Sequence, residues 1–281
     1  MLKTRIITAL VILPVLLGAL FFFPRWGWAA FTFAITLTAC WEWARFCEFS
    51  PLQGRMVLGL CVTMGLALSG SYLGIAALPF LAIAKGLFIL AALFWLVLAP
   101  CWLMKTWRPV SPSLRGVVGV IVIFPLWAAF LVLHDVSPWL LLTFAVIVWV
   151  ADIFAYFIGK GWGRHKLAPA MSPGKTMEGA LGGLTGVALY FVLWRVVVGT
   201  NPVQDWAQPL LRSDMALFTL FLLLGVLSIV GDLFESWMKR GVGLKDSSGL
   251  LPGHGGILDR IDALTSTLPV AALYFLFVAA L

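Results

Sequence analysis

Charged residues are scarce in this sequence, and that scarcity excludes a soluble enzyme. Only 11% of the 281 residues are Asp, Glu, Lys or Arg, and 62% are hydrophobic, whereas soluble domains carry roughly 25% charged residues. No polar stretch is long enough to build a hydrophobic core of its own. The composition therefore predicts an all-α polytopic membrane protein that forms a single integral membrane domain over residues 1–281.

Cysteine is also rare, and the few cysteines exclude a disulfide framework or a zinc site. The four residues, Cys40, Cys47, Cys61 and Cys101, lie in or beside apolar runs without the spacing of metal ligands. We interpret them as packing residues.

Apolar runs long enough to cross a bilayer recur along the whole chain, since a membrane span needs about 20 apolar residues. We expect about nine spans, at 6–23, 27–41, 56–74, 76–94, 116–134, 138–158, 178–198, 215–237 and 262–280. The first run is predicted to be an uncleaved helix rather than a signal peptide, because no clear cleavage site follows it. Region 56–104 holds two spans or includes a re-entrant piece, since Lys85 interrupts it.

The net charge of +7 predicts membrane orientation rather than nucleic-acid binding. With a cytoplasmic N-terminus, most of the 19 basic residues fall at cytoplasmic helix ends, and Arg25, Arg195 and Arg212 fall outside. The polar loops 159–177 and 239–258 then both face the cytoplasm. They belong to the C-terminal part, 138–281, which we expect to be catalytic, whereas 1–137 supplies N-terminal helices.

Residues 231–262 concentrate the charges that the rest of the chain avoids. Five of the twelve acidic residues lie here, among basic residues and seven glycines. On a helix, Asp232, Glu235, Ser236 and Lys239 share one face. Carboxylates beside cations suit a divalent ion bridged to polyphosphate, and glycines let backbone amides approach such an anion.

A second polar segment, 152–179, contains Asp152 within an apolar helix and then the run from Ser172 to Glu178. The run Gly174-Lys175-Thr176 is not interpreted as a P-loop, because Pro169 stands where the first glycine belongs and the sequence predicts no strand before it. We expect Ser172, Lys175 and Thr176 to open a helix whose N-terminus captures an anion. The alternative is a solvated basic loop that only sets topology.

Three runs carry a resemblance to a known family. They are Ser236-Trp-Met-Lys-Arg240, Lys245-Asp246, and Pro252-Gly-His-Gly-Gly-Ile-Leu-Asp-Arg-Ile-Asp262. Together they resemble the signature of phosphatidate cytidylyltransferases, and the similarity extends to the 152–179 segment. The resemblance implies a membrane enzyme of phospholipid biosynthesis that joins CTP to phosphatidic acid, releases pyrophosphate and requires Mg²⁺. A second cation, monovalent or divalent, stays open.

Site roles follow from this reading together with the resemblance. The expected metal ligands are Asp232 and Asp259. The candidate catalytic residues are Asp232, Lys239, Arg240, Lys245, Asp246, His254, Arg260 and Asp262. The candidate substrate-binding residues are Asp152, Ser172, Lys175, Thr176, Glu178, Ser236, Gly255 and Gly256.

The expected setting is the cytoplasmic interface of a bacterial inner membrane, with CTP, phosphatidic acid and membrane lipid as partners, no nucleic acid, and a homodimer left open. Glu42 and Glu48 flank Arg45 at a helix end, where we expect interfacial pairing or packing against the catalytic half. Two other functions compete. A CTP-dependent lipid or polyprenol kinase shares part of the 152–179 pattern, and an ion-coupled transporter would use intramembrane charges as a relay.

Overall fold

The fold consists of α-helices and one short β-hairpin. The computed structural model describes residues 2–109, 111–199 and 205–280, without the side chains of residues 2–7, 9 and 199. Lys3 and Arg5, two of the basic residues expected at cytoplasmic helix ends, are among the side chains that are not described. The helices are α1 (Leu2–Phe22), α2 (Arg25–Phe46), α3 (Pro51–Tyr72), α4 (Phe80–Leu93), α5 (Ala99–Met104), α6 (Pro112–Val136), α7 (Pro138–Trp162), α8 (Met177–Gly199), α9 (Asp214–Gly241) and α10 (Leu258–Val278).

Several helices begin where a serine precedes a proline. Ser50, Ser111 and Ser137 each cap a helix whose first residue is proline, and each serine hydroxyl accepts a hydrogen bond from a backbone N–H of the first turn. Proline suits that position because its missing N–H would have no partner there and its φ is already helical. These local signals set the starts of α3, α6 and α7 independently of tertiary packing.

In the part of the chain that the structure describes, seven helices are long and apolar enough to cross a membrane. They are α3, the continuous helix Phe80–Met104, α6, α7, α8, α9 and α10. The other two predicted spans correspond to α1, whose apolar part Leu10–Phe22 is shorter, and α2, which contains Glu42 and Arg45. Region 56–104 holds two helices, since five residues of π-helix, Phe94–Leu98, join α4 to α5 without a re-entrant break.

The centre of the bundle is formed by α6 and α10, the two most buried of the candidate spans. Helices α2 and α4 pack on this pair, α7 packs along α8, and α9 packs along α10. Large side chains such as Trp127, Phe144 and Phe221 fill the interior. In contrast, α3 is largely exposed, so its outer surface is available to lipid.

Glycines allow the helices that carry the polar segments to approach closely. A Cβ at Gly179 would lie 2.9 Å from the carbonyl oxygen of Ala155, and one at Gly183 would lie 2.9 Å from that of Ala151, so α7 and α8 are in backbone contact. A Cβ at Gly231 would lie 2.9 Å from the carbonyl oxygen of Asp262. Small residues at helix interfaces are the usual means of close packing in membranes. They place the polar ends of α7–α10 together.

The segment before α8 folds differently from the sequence prediction. Strand β1 (Lys166–Ala168) pairs antiparallel with β2 (Ser172–Thr176), with Ala168 opposite Ser172. The expectation that Ser172, Lys175 and Thr176 open a helix was wrong, because α8 begins only at Met177. Thr176 is the last residue of the hairpin, and its hydroxyl accepts a hydrogen bond from Gly179 N at 3.1 Å.

Candidate active site

A cavity of about 570 Å³ lies where the hairpin meets α7, α8 and α9. Small residues, including Gly159, Gly179 and Gly183, form part of its wall and leave space that larger side chains would fill. Its polar residues include five of the sequence candidates, Asp152, Ser172, Lys175, Thr176 and Asp232. The cavity therefore unites the two polar segments, which are about 50 residues apart in sequence.

The central contact in the cavity is an ion pair between the hairpin and α9. Lys175 Nζ lies 2.7 Å from Asp232 Oδ2, and both side chains are partly exposed, at 25% and 31%. The other oxygen, Oδ1 of Asp232, accepts a hydrogen bond from the Ser236 hydroxyl at 3.3 Å. Since both charges remain accessible, an anion could replace Asp232 as the partner of Lys175.

Two further carboxylates surround this pair. Asp152 of α7 interacts electrostatically with Asp232, Lys175 and Arg260. Asp262 of α10 interacts with Asp232, Lys175 and Lys239. The hairpin and helices α7, α9 and α10 thus contribute charged side chains to one region at the end of the bundle. Within the described residues, the guanidinium group of Arg260 makes no hydrogen bond.

Lys239 lies at the centre of a second, more buried network. Its ammonium group donates to Glu235 Oε2, one turn earlier on α9, at 2.8 Å. It also donates to Asp259 Oδ1 at the start of α10. The Glu235, Lys239 and Asp259 side chains are only 4%, 10% and 6% exposed. Lys239 therefore joins two helices within the protein and has little surface left for a substrate.

Asp259 holds the loop between α9 and α10. Its Oδ2 accepts hydrogen bonds from Ser247 N (2.9 Å), the Ser247 hydroxyl (2.9 Å) and Gly256 N (2.7 Å). Gly255 has φ +82°, and a Cβ there would lie 2.5 Å from Asp259 Oδ2. Glycine is required at this position for both reasons, its left-handed backbone and the approach of the carboxylate.

These contacts test which carboxylates could hold a divalent cation. Asp259 does not fit, because its side chain is only 6% exposed and both of its oxygens are held by Lys239 and by the loop before α10, whereas Asp232 is 31% exposed. Asp232 and Asp152 fit better, since both line the cavity with carboxylate oxygens, the ligands that Mg²⁺ prefers. Over the described ranges, no group of three or more His, Cys, Asp or Glu residues is arranged to hold a metal ion.

The remaining candidates lie around the two networks. Glu178 accepts hydrogen bonds from Arg164 N and His165 N and pairs with the His165 ring at 2.6 Å, so it closes the hairpin. Arg240 donates to Leu244 O at 3.2 Å. Lys245 and Asp246 are exposed on the loop. Nδ1 of His254 is buried without a hydrogen-bond partner in the described part of the chain.

Two residues of this region were not among the sequence candidates. Glu235 was recognised only as part of the polar face of α9, although it is the i−4 partner of Lys239. Glu42 of α2 is fully buried against the α9–α10 loop. Of the two contacts expected for Glu42 and Glu48, Glu42 shows packing against the C-terminal part of the chain, and Glu48 shows pairing, with Arg115 of α6. The signal for Glu42 was a carboxylate inside an apolar helix, which requires a polar partner.

Comparison with known proteins identifies the family of this chain. The sequence profile of the Cytidylyltransferase family matches residues 3–278, nearly the whole chain. The chain belongs to this family. Its relatives include proteins whose similarity runs from one end of the chain to the other.

Two such relatives are named phosphatidate cytidylyltransferase. The protein from Pseudomonas aeruginosa is 38% identical over 284 residues, covering 97% of this chain and 96% of its own length. The protein from Haemophilus influenzae is 36% identical over 296 residues, covering 99% and 100%. A third protein of that name, from Thermotoga maritima, is 43% identical over 131 residues, which is 45% of each chain. The N-terminal helices are therefore part of the similarity and not only the polar C-terminal loops.

Proposed function

We propose that this chain transfers the cytidylyl group of CTP to phosphatidic acid, giving CDP-diacylglycerol and pyrophosphate. The observation that carries the proposal is the cavity between membrane helices whose polar end holds the Lys175–Asp232 pair. It offers apolar walls to a lipid and charge to phosphate groups. The full-length relatives named phosphatidate cytidylyltransferase give the substrates.

The reaction needs no covalent enzyme intermediate, because the phosphate of phosphatidic acid is itself a nucleophile. One of its oxygens attacks the α-phosphorus of CTP, the new P–O–P bond forms, and the bond to the β-phosphate breaks, so that pyrophosphate leaves. Lys175 would exchange its partner Asp232 for a phosphate oxygen and hold that group as a charge-assisted donor. Exposed Arg260 and Lys245 would attract the anions to the site.

Asp232 and Asp152 would hold Mg²⁺. The ion would neutralise the negative charge of the triphosphate and the charge that develops on the oxygen of the departing pyrophosphate. In this proposal the sequence-based ligand Asp259 is replaced by Asp152, because the oxygens of Asp259 are engaged by Lys239 and by the loop amides. Asp259 and Lys239 instead hold the start of α10 against α9. Asp262 would orient the charged groups or share a second cation.

We place the site at the cytoplasmic interface of a bacterial inner membrane, with α1 and α2 completing about nine membrane crossings and the N-terminus in the cytoplasm. The distribution of basic residues supports this orientation. CTP then arrives from water and phosphatidic acid arrives laterally from the inner leaflet. The exposed surface of α3 would face lipid or a second copy of the chain.

The rival functions fit the geometry less well. A transporter relay predicts charges spread along the membrane depth, whereas here they gather at the end of α7–α10 next to the two loops. A CTP-dependent kinase would use the γ-phosphate and release CDP. Purified protein incubated with CTP and phosphatidic acid is expected to give CDP-diacylglycerol and pyrophosphate in equal amounts. Accumulation of CDP with a phosphorylated lipid would replace this proposal with the kinase.

Replacing Lys175 by Gln is expected to lower kcat/KM about 10- to 100-fold, because a hydrogen bond to a charged group contributes about 1.5–3 kcal/mol. Lys166→Gln is the matched control, since Lys166 is an exposed lysine on the other strand of the same hairpin and is not among the residues that line the cavity. Steady-state kinetics with CTP and phosphatidic acid measure both. If Lys175→Gln behaves like Lys166→Gln, the hairpin sets topology only.

Single cysteines placed at exposed positions of the 241–250 loop, such as Lys245, Asp246 and Leu250, in a background without native cysteines, are expected to react with a membrane-impermeant thiol reagent only from the cytoplasmic side. CTP with Mg²⁺ should protect the positions nearest the site. Reaction from the other side would contradict the orientation, and reaction without any protection would contradict the loop's part in nucleotide binding.

A further inference from the structure

The Glu42 side chain connects the N-terminal helices to the catalytic loop. It lies on α2, is 0% exposed, and accepts four hydrogen bonds. Oε1 accepts from the Ser248 hydroxyl (2.5 Å) and Ile257 N (3.0 Å). Oε2 accepts from Leu258 N (2.6 Å) and the Ser247 hydroxyl (3.2 Å). Every donor belongs to the loop before α10 or to the first residues of that helix.

Helix α10 lacks a cap of its own. Its N-cap residue is Ile257, whose side chain makes no capping hydrogen bond. The first N–H groups of a helix need acceptors, and a negative charge is favourable there because of the helix dipole. Glu42, 216 residues before Leu258, supplies both the acceptor oxygens and the negative charge. Gly256 fits this contact, since a Cβ there would collide with the Glu42 carboxylate.

The loop is fixed to α2 at a second point. Arg45 Nη1, one turn after Glu42, donates to Ser247 O at 2.6 Å. The Ser247 hydroxyl lies within hydrogen-bond distance of both Glu42 and Asp259. Asp259 in turn pairs with Lys239 of α9. A continuous chain of contacts thus runs from α2 through the loop to the helix that carries Asp232.

We propose that Glu42 is a positioning residue for cytidylyl transfer. Its carboxylate caps α10 from outside the catalytic helices and thereby sets where Asp262, Arg260 and the 245–256 loop stand relative to Asp232. This proposal rests on the proposed function. Glu42 is not among the residues that line the cavity, so its effect on the reaction passes through the cap and the loop.

Glu42→Gln is a sharp test because neither orientation of its amide satisfies the site. Each carboxylate oxygen faces one backbone N–H, Ile257 N on one side and Leu258 N on the other. The amide NH₂ of Gln would therefore oppose an N–H donor whichever way it turned. Glu42→Asp keeps two acceptor oxygens on a side chain shorter by one methylene, so it should restore part of the function.

The experiment measures kcat and KM for CTP on the folded, detergent-purified chain, together with thermal stability. Glu42→Gln is expected to lower kcat per folded molecule about 10- to 100-fold, because misplacing a group by about 1 Å can cost a factor of 100. Glu42→Asp should fall between this variant and wild type. Glu48→Gln, at the same end of α2 but with an exposed carboxylate, should match wild type.

A reporter cysteine at exposed Leu250, in the cysteine-free background, adds a readout of loop position. Its thiol should react faster in Glu42→Gln and lose protection by CTP with Mg²⁺. A variant with normal kcat per folded molecule and only lower stability would overturn the positioning role.

If Glu42→Gln does not fold, the same measurements are made on Ser248→Ala, which removes one hydrogen-bond donor to Glu42. An unchanged kcat and an unchanged labelling rate in that variant would overturn the proposal. If neither wild type nor Glu48→Gln forms CDP-diacylglycerol, the result would instead contradict the proposed function itself.

Discussion

Asp232→Asn is expected to reduce turnover by at least about 100-fold while the chain still folds and inserts. Asn keeps the shape of the side chain but removes the negative charge from the cavity. The change leaves Lys175 without its ion-pair partner and takes away the carboxylate that we propose as a ligand of Mg²⁺. Product formation at saturating CTP, phosphatidic acid and Mg²⁺ measures the effect.

Asp214→Asn is the matched control for this substitution. Asp214 lies at the opposite end of the same helix, where it pairs with Arg195 at 2.7 Å and is 57% exposed. Exposed pairs contribute little to stability, so this variant should retain normal turnover. Near-normal turnover of Asp232→Asn at saturating Mg²⁺ would remove Asp232 from the site.

Lys239→Met is expected to have the largest effect on stability. The substitution leaves Glu235 and Asp259, two nearly buried carboxylates, without their shared cation. Breaking a buried ion pair by removing one partner costs about 3–5 kcal/mol. We therefore expect a strongly lowered Tm in detergent and loss of activity, because the start of α10 is no longer held against α9.

Two comparisons separate this effect from a general loss of positive charge. Lys105→Met removes an exposed lysine at the same end of the bundle and should leave Tm unchanged. Adding Glu235→Gln to Lys239→Met removes one uncompensated charge and should restore part of the stability. A Tm of Lys239→Met equal to that of Lys105→Met would show that the buried network does not stabilise the fold.

The positions of the helices could be predicted because their signals are local. The apolar runs 56–74, 116–134 and 138–158 locate α3, α6 and α7 to within about five residues at each end. Predicting how many helices qualify as spans was harder. In α2, Glu42 and Arg45 lower the hydropathy, and sequence alone does not reveal that both contact the loop between α9 and α10 or the start of α10.

The hairpin was missed because its two strands are only three and five residues long. Such short strands lack the alternation of apolar and polar residues that identifies a strand in a sequence. The segment Ser172-Pro-Gly-Lys-Thr also carries the residues of a helix start, and Thr176 does cap α8. Ser172, Lys175 and Thr176 do line the cavity, whereas the backbone that presents them is a strand and not the helix start that we predicted.

The separation of the carboxylates into two networks depends on tertiary contacts. Asp232 and Asp259 look equivalent in the sequence, since both stand beside basic residues at the edge of an apolar run. In the structure Asp232 faces the cavity, and Asp259 accepts from Lys239, Ser247 and Gly256. Only the folded arrangement shows that Asp232 is accessible from the cavity and that Asp259 is nearly buried.

The position of a radioactive phosphate in CTP tests the proposed reaction most directly. Purified protein is incubated with phosphatidic acid and Mg²⁺, and with CTP labelled either at the α- or at the γ-phosphorus. Attack on the α-phosphorus predicts that the α-label enters the lipid and that the γ-label is released in pyrophosphate. Asp232→Asn should lose both outcomes, and Asp214→Asn should keep both. Transfer of the γ-label to lipid, with the α-label remaining in CDP, would contradict cytidylyl transfer.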